Sequence, residues 1–393
     1  MKSSLSAFTD GQSLAEVLLL LSLALGLLFS QISISVVQIF LALGLIGWVV
    51  LLGQKKIRFA FPDFFWLLLV YAALSLLSCA LSVNPGISFK DDRKLVLFLL
   101  VPIVYTALKR KKEMSFLSAA LLGSGFINSA YAIGYYFLKA YPGERVKGFM
   151  GHYMTQAGLL VLFGSFALGM IFFRRDKTRI LWGLALVLSG VALVLTMTRS
   201  AWIGLAVALC VILFLWKPKA LVLVPVIGGL VFFASPRPIK DRALSIFSST
   251  EFSNMARVEY FRAGIKIIKD YPLHGTGPKT VDMVFQESKY GLDELAKKNV
   301  HLHNNLLQIA AERGIPALLA WLAFIAMAFI ALIKLVKEKD ADYRAPAAGA
   351  LAALAAFFVA GFFEYNFGDS EVLTLLLFIV TMPFALARIK NED

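Results

Sequence analysis

Gly314-Ile315-Pro316-Ala317-Leu318-Leu319-Ala320-Trp321-Leu322-Ala323-Phe324-Ile325-Ala326-Met327-Ala328-Phe329-Ile330-Ala331-Leu332-Ile333 runs for twenty residues without a charged side chain. At about 1.5 Å per residue, a helix of this length covers the roughly 30 Å hydrocarbon core of a bilayer. Similar runs recur along nearly the whole chain, whose 393 residues are 59% hydrophobic. The mean hydropathy is +0.76. Backbone polar groups find no water in lipid, so only helices or closed barrels can span it, and the run lengths select helices. The sequence predicts an all-α integral membrane protein.

The same criterion along the chain gives about twelve spans, near 14–30, 33–52, 64–82, 95–108, 115–138, 155–173, 180–198, 201–216, 220–234, 314–333, 346–363 and 371–387. The run from Leu14 to Phe29 follows Lys2 as a signal peptide would. It has no small-residue cleavage site before the next span, so it reads as the first transmembrane helix. Residues 1–393 form a single polytopic domain, with one large loop at 235–303 inserted between spans nine and ten.

The net charge of +14 raises the question of nucleic acid, and its distribution answers it. Lys55-Lys56-Ile57-Arg58, Lys109-Arg110-Lys111-Lys112, the cationic turn at 174–179, Lys217-Pro218-Lys219 and 334–344 all fall on one side of the predicted spans. Short basic loops mark the cytoplasmic side of a membrane protein. The expectation is therefore that both termini are cytoplasmic and the 235–303 loop periplasmic or otherwise external. Cys79 and Cys210 lie within apolar runs and read as packing residues, not as a disulfide or metal pair.

This orientation sends several chemistry-bearing residues to the same external face. His301 and His303 precede the opening run, and a histidine can accept a proton from a hydroxyl near neutral pH without a metal. Asn304 fits an N-cap for the helix that follows. Arg199, in Thr196-Met197-Thr198-Arg199-Ser200-Ala201-Trp202, is the only charge between Arg179 and Lys217. An arginine so placed is either an interfacial anchor or a fork for phosphate oxygens.

The loop's clearest helix spans about 254–270, where Met255, Val258, Phe261, Ile265 and Ile268 recur at helical spacing as an inward stripe with Arg257 beside it. Glu364, Asn366 and Asp369 fall between the last two spans, suited to orienting an arginine, binding a sugar hydroxyl, or simply turning in solvent. No phosphate-binding glycine loop followed by Lys and Ser/Thr is present, which excludes ATP hydrolysis of that type. No acidic pair in an early external loop suggests a divalent metal, so no cofactor and no metal are expected.

Taken together, these motifs resemble the O-antigen ligase family, a superfamily that also contains O-antigen polymerases. His303-Asn304 followed nine residues later by Gly314 matches the ligase signature, while Ala317 departs from its last position, usually Gly, Thr or Tyr. Thr198-Arg199-Ser200-Ala201-Trp202, the helix from Arg257 into Tyr271-Pro272-Leu273-His274-Gly275-Thr276-Gly277, and Glu364-Tyr365-Asn366-Phe367-Gly368-Asp369 follow in the family's order.

The resemblance implies a GT-C-like bundle with a helical periplasmic cap. It also implies metal-independent, inverting transfer of a glycan from undecaprenyl pyrophosphate to lipid A-core oligosaccharide. On this chain the catalytic histidine falls on His303 and the two donor-pyrophosphate arginines on Arg199 and Arg257, with His301, Asn304, Glu364, Asn366 and Asp369 in support. The alternatives are a polymerase that extends the lipid-linked glycan, and a transporter of lipid-linked saccharides. A transporter would more typically place its ionisable residues at the bilayer midplane, whereas here they gather at one face.

Overall fold

The computed structural model describes residues 13–138, 144–248, 250–294 and 296–392. Its first helices are α1 (Leu14–Phe29), α2 (Ile34–Gly53), α3 (Phe65–Ala80), α4 (Pro85–Asp91), α5 (Leu100–Ala107), α6 (Lys111–Leu138), α7 (Tyr153–Phe173) and α8 (Thr178–Leu195). There follow α9 (Arg199–Trp216), α10 (Leu223–Ala234), α11 (Arg237–Leu244), α12 (Phe252–Asp270), α13 (Val281–Val284), α14 (Asn305–Val336), α15 (Ala341–Ala360) and α16 (Ser370–Glu392). No strand occurs among the described residues.

Among the described residues, eight helices, α2, α6, α7, α8, α9, α14, α15 and α16, are long and apolar enough to cross a membrane. The other four of the about twelve expected spans are shorter helices or are divided. α1 and α3 have 16 residues each. The segment expected at 220–234 is a 3-10 turn leading into the 12 residues of α10. The span expected at 95–108 is divided between a 3-10 segment, Asp92–Leu99, and α5.

The centre of the bundle is α7, α15 and α16, whose side chains are mostly buried. α15 is built largely of alanine, and that composition sets its position. A Cβ on Gly169 of α7 would lie 2.2 Å from the Gly349 backbone nitrogen of α15, so the two backbones touch where they cross. Small residues permit such contact, and dispersion at close range holds helices together where lipid removes the hydrophobic drive. Peripheral α10 buries no residue, and its exposed Val, Leu and Phe side chains suit an acyl-chain environment.

α14 departs from the expected boundary. It begins at Asn305, nine residues before the predicted span, and continues to Val336 with a break at Gly314 (φ 83°, ψ 168°) just ahead of Pro316. Three of the backbone groups freed there are engaged by another segment. Thr276 N donates to Ala311 O at 2.8 Å and Gly277 N to Glu312 O at 2.8 Å, while Ile315 N donates to Pro272 O at 2.8 Å. Ser78 Oγ adds a second donor to Glu312 O at 2.8 Å.

The packing is close enough that a Cβ on Gly314 would lie 2.2 Å from Leu273 O, and one on Gly275 2.2 Å from the Glu312 carbonyl carbon. The Pro272–Gly277 segment is thus the plug of a discontinuous helix, the arrangement by which broken helices satisfy their backbone at membrane depth. In the structure, both Gly314 and the Tyr271-Pro272-Leu273-His274-Gly275-Thr276-Gly277 motif shape this break.

The 235–303 segment carries a small core of its own. Ala256, Tyr260, Ala263, Ile267, Val281, Phe285 and Tyr290 pack with Leu302, Leu307 and Ala311 at the start of α14. The helix predicted near 254–270 is α12, but its buried face corrects the expectation. Ala256, Tyr260, Ala263, Gly264 and Ile267 point inward, and Met255, Val258, Phe261 and Ile265 are exposed. Gly264 lets α12 approach Leu302 and Leu307 closely, a Cβ there lying 3.2 Å from Leu302 and 3.6 Å from Leu307.

Candidate active site

His303 is positioned by the two asparagines that follow it. Asn304 caps α14, its Oδ1 accepting from Leu306 N at 2.9 Å and Leu307 N at 3.0 Å. Its amide also donates to Phe362 O at 2.9 Å. Asn305 N donates to Gly361 O at 2.7 Å. Its side chain donates to Asn366 Oδ1 at 2.7 Å and accepts from Phe367 N at 3.1 Å. These bonds tie the entrance of α14 to the loop between α15 and α16. They bring His303 to Glu364, and the chain takes a left-handed turn there, with His303 at φ 49°. Non-glycine residues rarely hold that conformation, and such strain gathers at functional sites.

Glu364 joins two imidazoles. His303 Nδ1 lies 2.9 Å from Glu364 Oε2, and His301 Nε2 lies 3.6 Å from Oε1. The two histidine rings meet edge to face with centroids 4.2 Å apart. Burial alone would raise the Glu364 carboxyl. The His303 hydrogen bond and the charges of His303, His301 and Arg257 outweigh it and bring the group down to about 2. Burial pushes His301 the other way, down to about 4, against the opposing pull of Glu364. Glu364 is thus an ionised acceptor and His301 a neutral imidazole near pH 7. An ionised carboxylate can only accept, so His303 carries its proton on Nδ1 and keeps Nε2 as the basic nitrogen when neutral.

Arg199 opens α9 behind a strained turn at Met197 (φ 51°). Its guanidinium is buried and donates to Ser245 Oγ at 2.9 Å, Ser253 Oγ at 2.7 Å and Asn254 Oδ1 at 2.7 Å. No carboxylate lies within ion-pair distance of it among the described residues. Arg257 reaches Phe363 O at 3.4 Å, and its buried Nε has no hydrogen-bond partner among the described residues. Burial, and then repulsion from Arg242, lower its pKa against the attraction of Glu364.

Two further arginines belong to this group, and no motif in the sequence singled them out. Arg145 donates to Thr196 O at 2.9 Å, Met197 O at 3.0 Å and Thr198 Oγ1 at 3.1 Å, and its guanidinium stacks over Tyr153 at 3.5 Å. Arg242 donates to Met197 O at 3.4 Å and pairs with Glu251 at 2.5 Å. Both therefore hold the turn that presents Arg199. Burial, with repulsion from Arg242, Arg199 and Arg257, brings Arg145 down to about 10. Apart from the Glu251 pair and the field of Glu364, the four guanidiniums are left with surplus positive charge, an arrangement suited to an anion.

A second network, also missed from the sequence, underlies the histidines. Buried Arg313 bonds Asp92 Oδ1 at 2.8 Å, Glu312 Oε2 at 2.6 Å, Ser75 Oγ at 2.7 Å and Tyr365 Oη at 3.2 Å. Gln308 links Glu312 at 2.8 Å to Leu302 N at 2.6 Å. It thus connects the helix break to the residues flanking both His301 and Glu364. Asp92 and Arg313 sit in ordinary charge runs of the sequence, and nothing in their spacing signals a partner on another helix.

Of the expected supporting residues, Asn366 serves the Asn305 clasp, and Asp369 Oδ2 accepts from Thr155 Oγ1 at 2.6 Å. His301 belongs to the histidine–carboxylate cluster itself and is not peripheral to it. Ligand atoms of His301, His303 and Glu364 all lie within 4.8 Å of one another, so by donor type the same triplet can hold a cation.

Residues 184–322 match the family model described as O-antigen ligase. That interval begins in α8, contains Arg199, Arg242, Arg257, His301 and His303, and ends in α14. The match supports the O-antigen ligase family reading of the motifs. An uncharacterized protein of Haemophilus influenzae is 26% identical over 311 residues, covering 72% of this chain and 76% of the relative.

Proposed function

We propose that this chain, whose central interval carries the O-antigen ligase match, transfers a glycan from undecaprenyl pyrophosphate to a hydroxyl of lipid A-core oligosaccharide. The active site faces the periplasm and the mechanism is inverting. The observation that carries the reading is the pairing of an anion-ready arginine group with a histidine held by an ionised carboxylate.

Arg199 and Arg257 bind the donor pyrophosphate, and Arg145 and Arg242 hold the turn behind Arg199. His303 Nε2 takes the proton of the acceptor hydroxyl as its oxygen bonds to the anomeric carbon. The bond from that carbon to the pyrophosphate oxygen breaks, and its electron pair leaves with the pyrophosphate. The guanidiniums meet the charge that grows there, a role metal ions fill in other transferases. Glu364 fixes the His303 tautomer and stabilises the imidazolium that forms. The lipid pyrophosphate is already an activated leaving group, so no ATP is consumed.

A polymerase would share this donor chemistry and differ in the acceptor, which would be a second lipid-linked glycan. The deciding experiment supplies purified protein with a lipid-pyrophosphate glycan, with and without lipid A-core. Product on the core is the expected result. Lengthened glycan on the carrier would assign the polymerase reaction, and absence of either product would overturn the transferase reading. Activity should also persist in a strong chelator. Loss that magnesium restores would instead put a cation at His301, His303 and Glu364.

A further inference from the structure

A cavity of about 430 Å³ opens beside the histidine–carboxylate cluster, with His301, Glu364, Asn366, Thr155, Asp369 and Glu371 among its lining. Its volume lies within the ~300–1,000 Å³ range of small-molecule sites. Three features identify its chemistry. First, none of the four arginines lines it, so it is separate from the surface suited to pyrophosphate. Second, its lining presents five carboxyl side chains, those of Asp91, Glu312, Glu364, Asp369 and Glu371, against two lysines. Asp369 is held by Thr155 Oγ1 at 2.6 Å and by Glu371 N at 3.2 Å, and Glu371 stands beside it. Carboxyl oxygens so placed accept from hydroxyl groups. Third, the cavity shares His301 and Glu364 with the cluster that holds His303.

We infer that this cavity is the acceptor subsite. It takes a terminal sugar ring whose hydroxyls donate to Asp369 and Glu371, with the attacking hydroxyl directed past the His301–Glu364 edge toward His303 Nε2. The inference rests on the transferase reading above and adds where, and by which groups, the acceptor is recognised. Of the two lysines on its lining, one is already committed. Lys94 is tied to Asp91 at 2.7 Å and Gly368 O at 3.3 Å, and Lys279 is exposed. A hydroxyl-rich ring, not an anionic substituent, is therefore the group selected.

The test is a binding titration on the full chain carrying His303→Ala, so that no turnover intervenes. The probes are deacylated lipid A-core oligosaccharide, a lipid-pyrophosphate-linked glycan, and undecaprenyl pyrophosphate alone. Asp369→Asn replaces one acceptor oxygen by a donor NH2 group, and Val300→Trp fills the cavity from a half-exposed position on its lining. Each should weaken binding of the oligosaccharide, or of the glycan portion of the lipid-linked probe, about tenfold or more. Binding of undecaprenyl pyrophosphate alone should not change. A response from the oligosaccharide identifies the core as acceptor, and one from the lipid-linked glycan a growing chain; either supports the subsite. Sugar binding that neither substitution alters, or weakened binding of undecaprenyl pyrophosphate instead, overturns it. Normal transfer by the His303→Ala protein would defeat the base assignment and leave this binding result to be judged separately.

Discussion

Glu364 is the residue on which the site's protonation states turn, because one carboxylate faces two imidazoles. Glu364→Gln preserves shape but removes the charge that would stabilise a His303 imidazolium. The expected loss in kcat is about 100-fold or more, measured as transfer by purified protein, and an unchanged kcat would detach Glu364 from the chemistry. The His301 shift makes a pH prediction whose sign follows from proton counting. Its folded value, about 4, lies below the ordinary 6.5, so the unfolded chain binds the proton first. Stability should therefore fall as pH drops from 6.5 toward 4, and fall less in His301→Gln. Thermal midpoints across that range check this, and equal slopes in the two proteins would refute it. His303, Arg199 and Arg257 were nameable from short motifs. Arg145 and Arg242 were not, because a basic residue in a basic loop looks like ordinary solvated charge until its partners are known.

At the scale of elements, the decisive object is the broken helix α14. Gly314→Ala must place a side chain at φ 83° and against Leu273 O, costing about 1–3 kcal/mol in backbone strain before the clash is counted. A clear drop in the thermal midpoint of detergent-solubilised protein is expected, and wild-type stability would show that the break tolerates a Cβ. Arg145→Lys keeps the charge but loses the fork that reaches three oxygens around Met197. It should weaken donor binding several-fold with little effect on acceptor binding, and the reverse pattern would remove Arg145 from the donor side. The sequence indicated helices here but misplaced their faces and limits. The stripe of Met255, Val258, Phe261 and Ile265 has helical period, yet packing favoured the smaller Ala256, Ala263 and Gly264. Periodicity finds an apolar face without saying whether protein or lipid covers it.

For the whole molecule, the proposed orientation predicts labelling. A cysteine placed at Lys112 or Lys337 should be protected from a membrane-impermeant thiol reagent in intact cells, and one at Val300 should react; the opposite pattern would invert the protein. Composition and pattern were enough to establish the all-helical membrane architecture and to single out the histidine, arginine and carboxylate motifs. Run length and the order of charges are local properties, legible without a fold. Only the tertiary structure decided that His303 meets Glu364 across 61 residues, that Arg313 meets Asp92 across 221, and that a loop segment completes the hydrogen bonds of a helix it does not belong to. Those pairings depend on how close two backbones can come and on which buried polar groups find partners, and a linear pattern of apolar and charged residues carries neither.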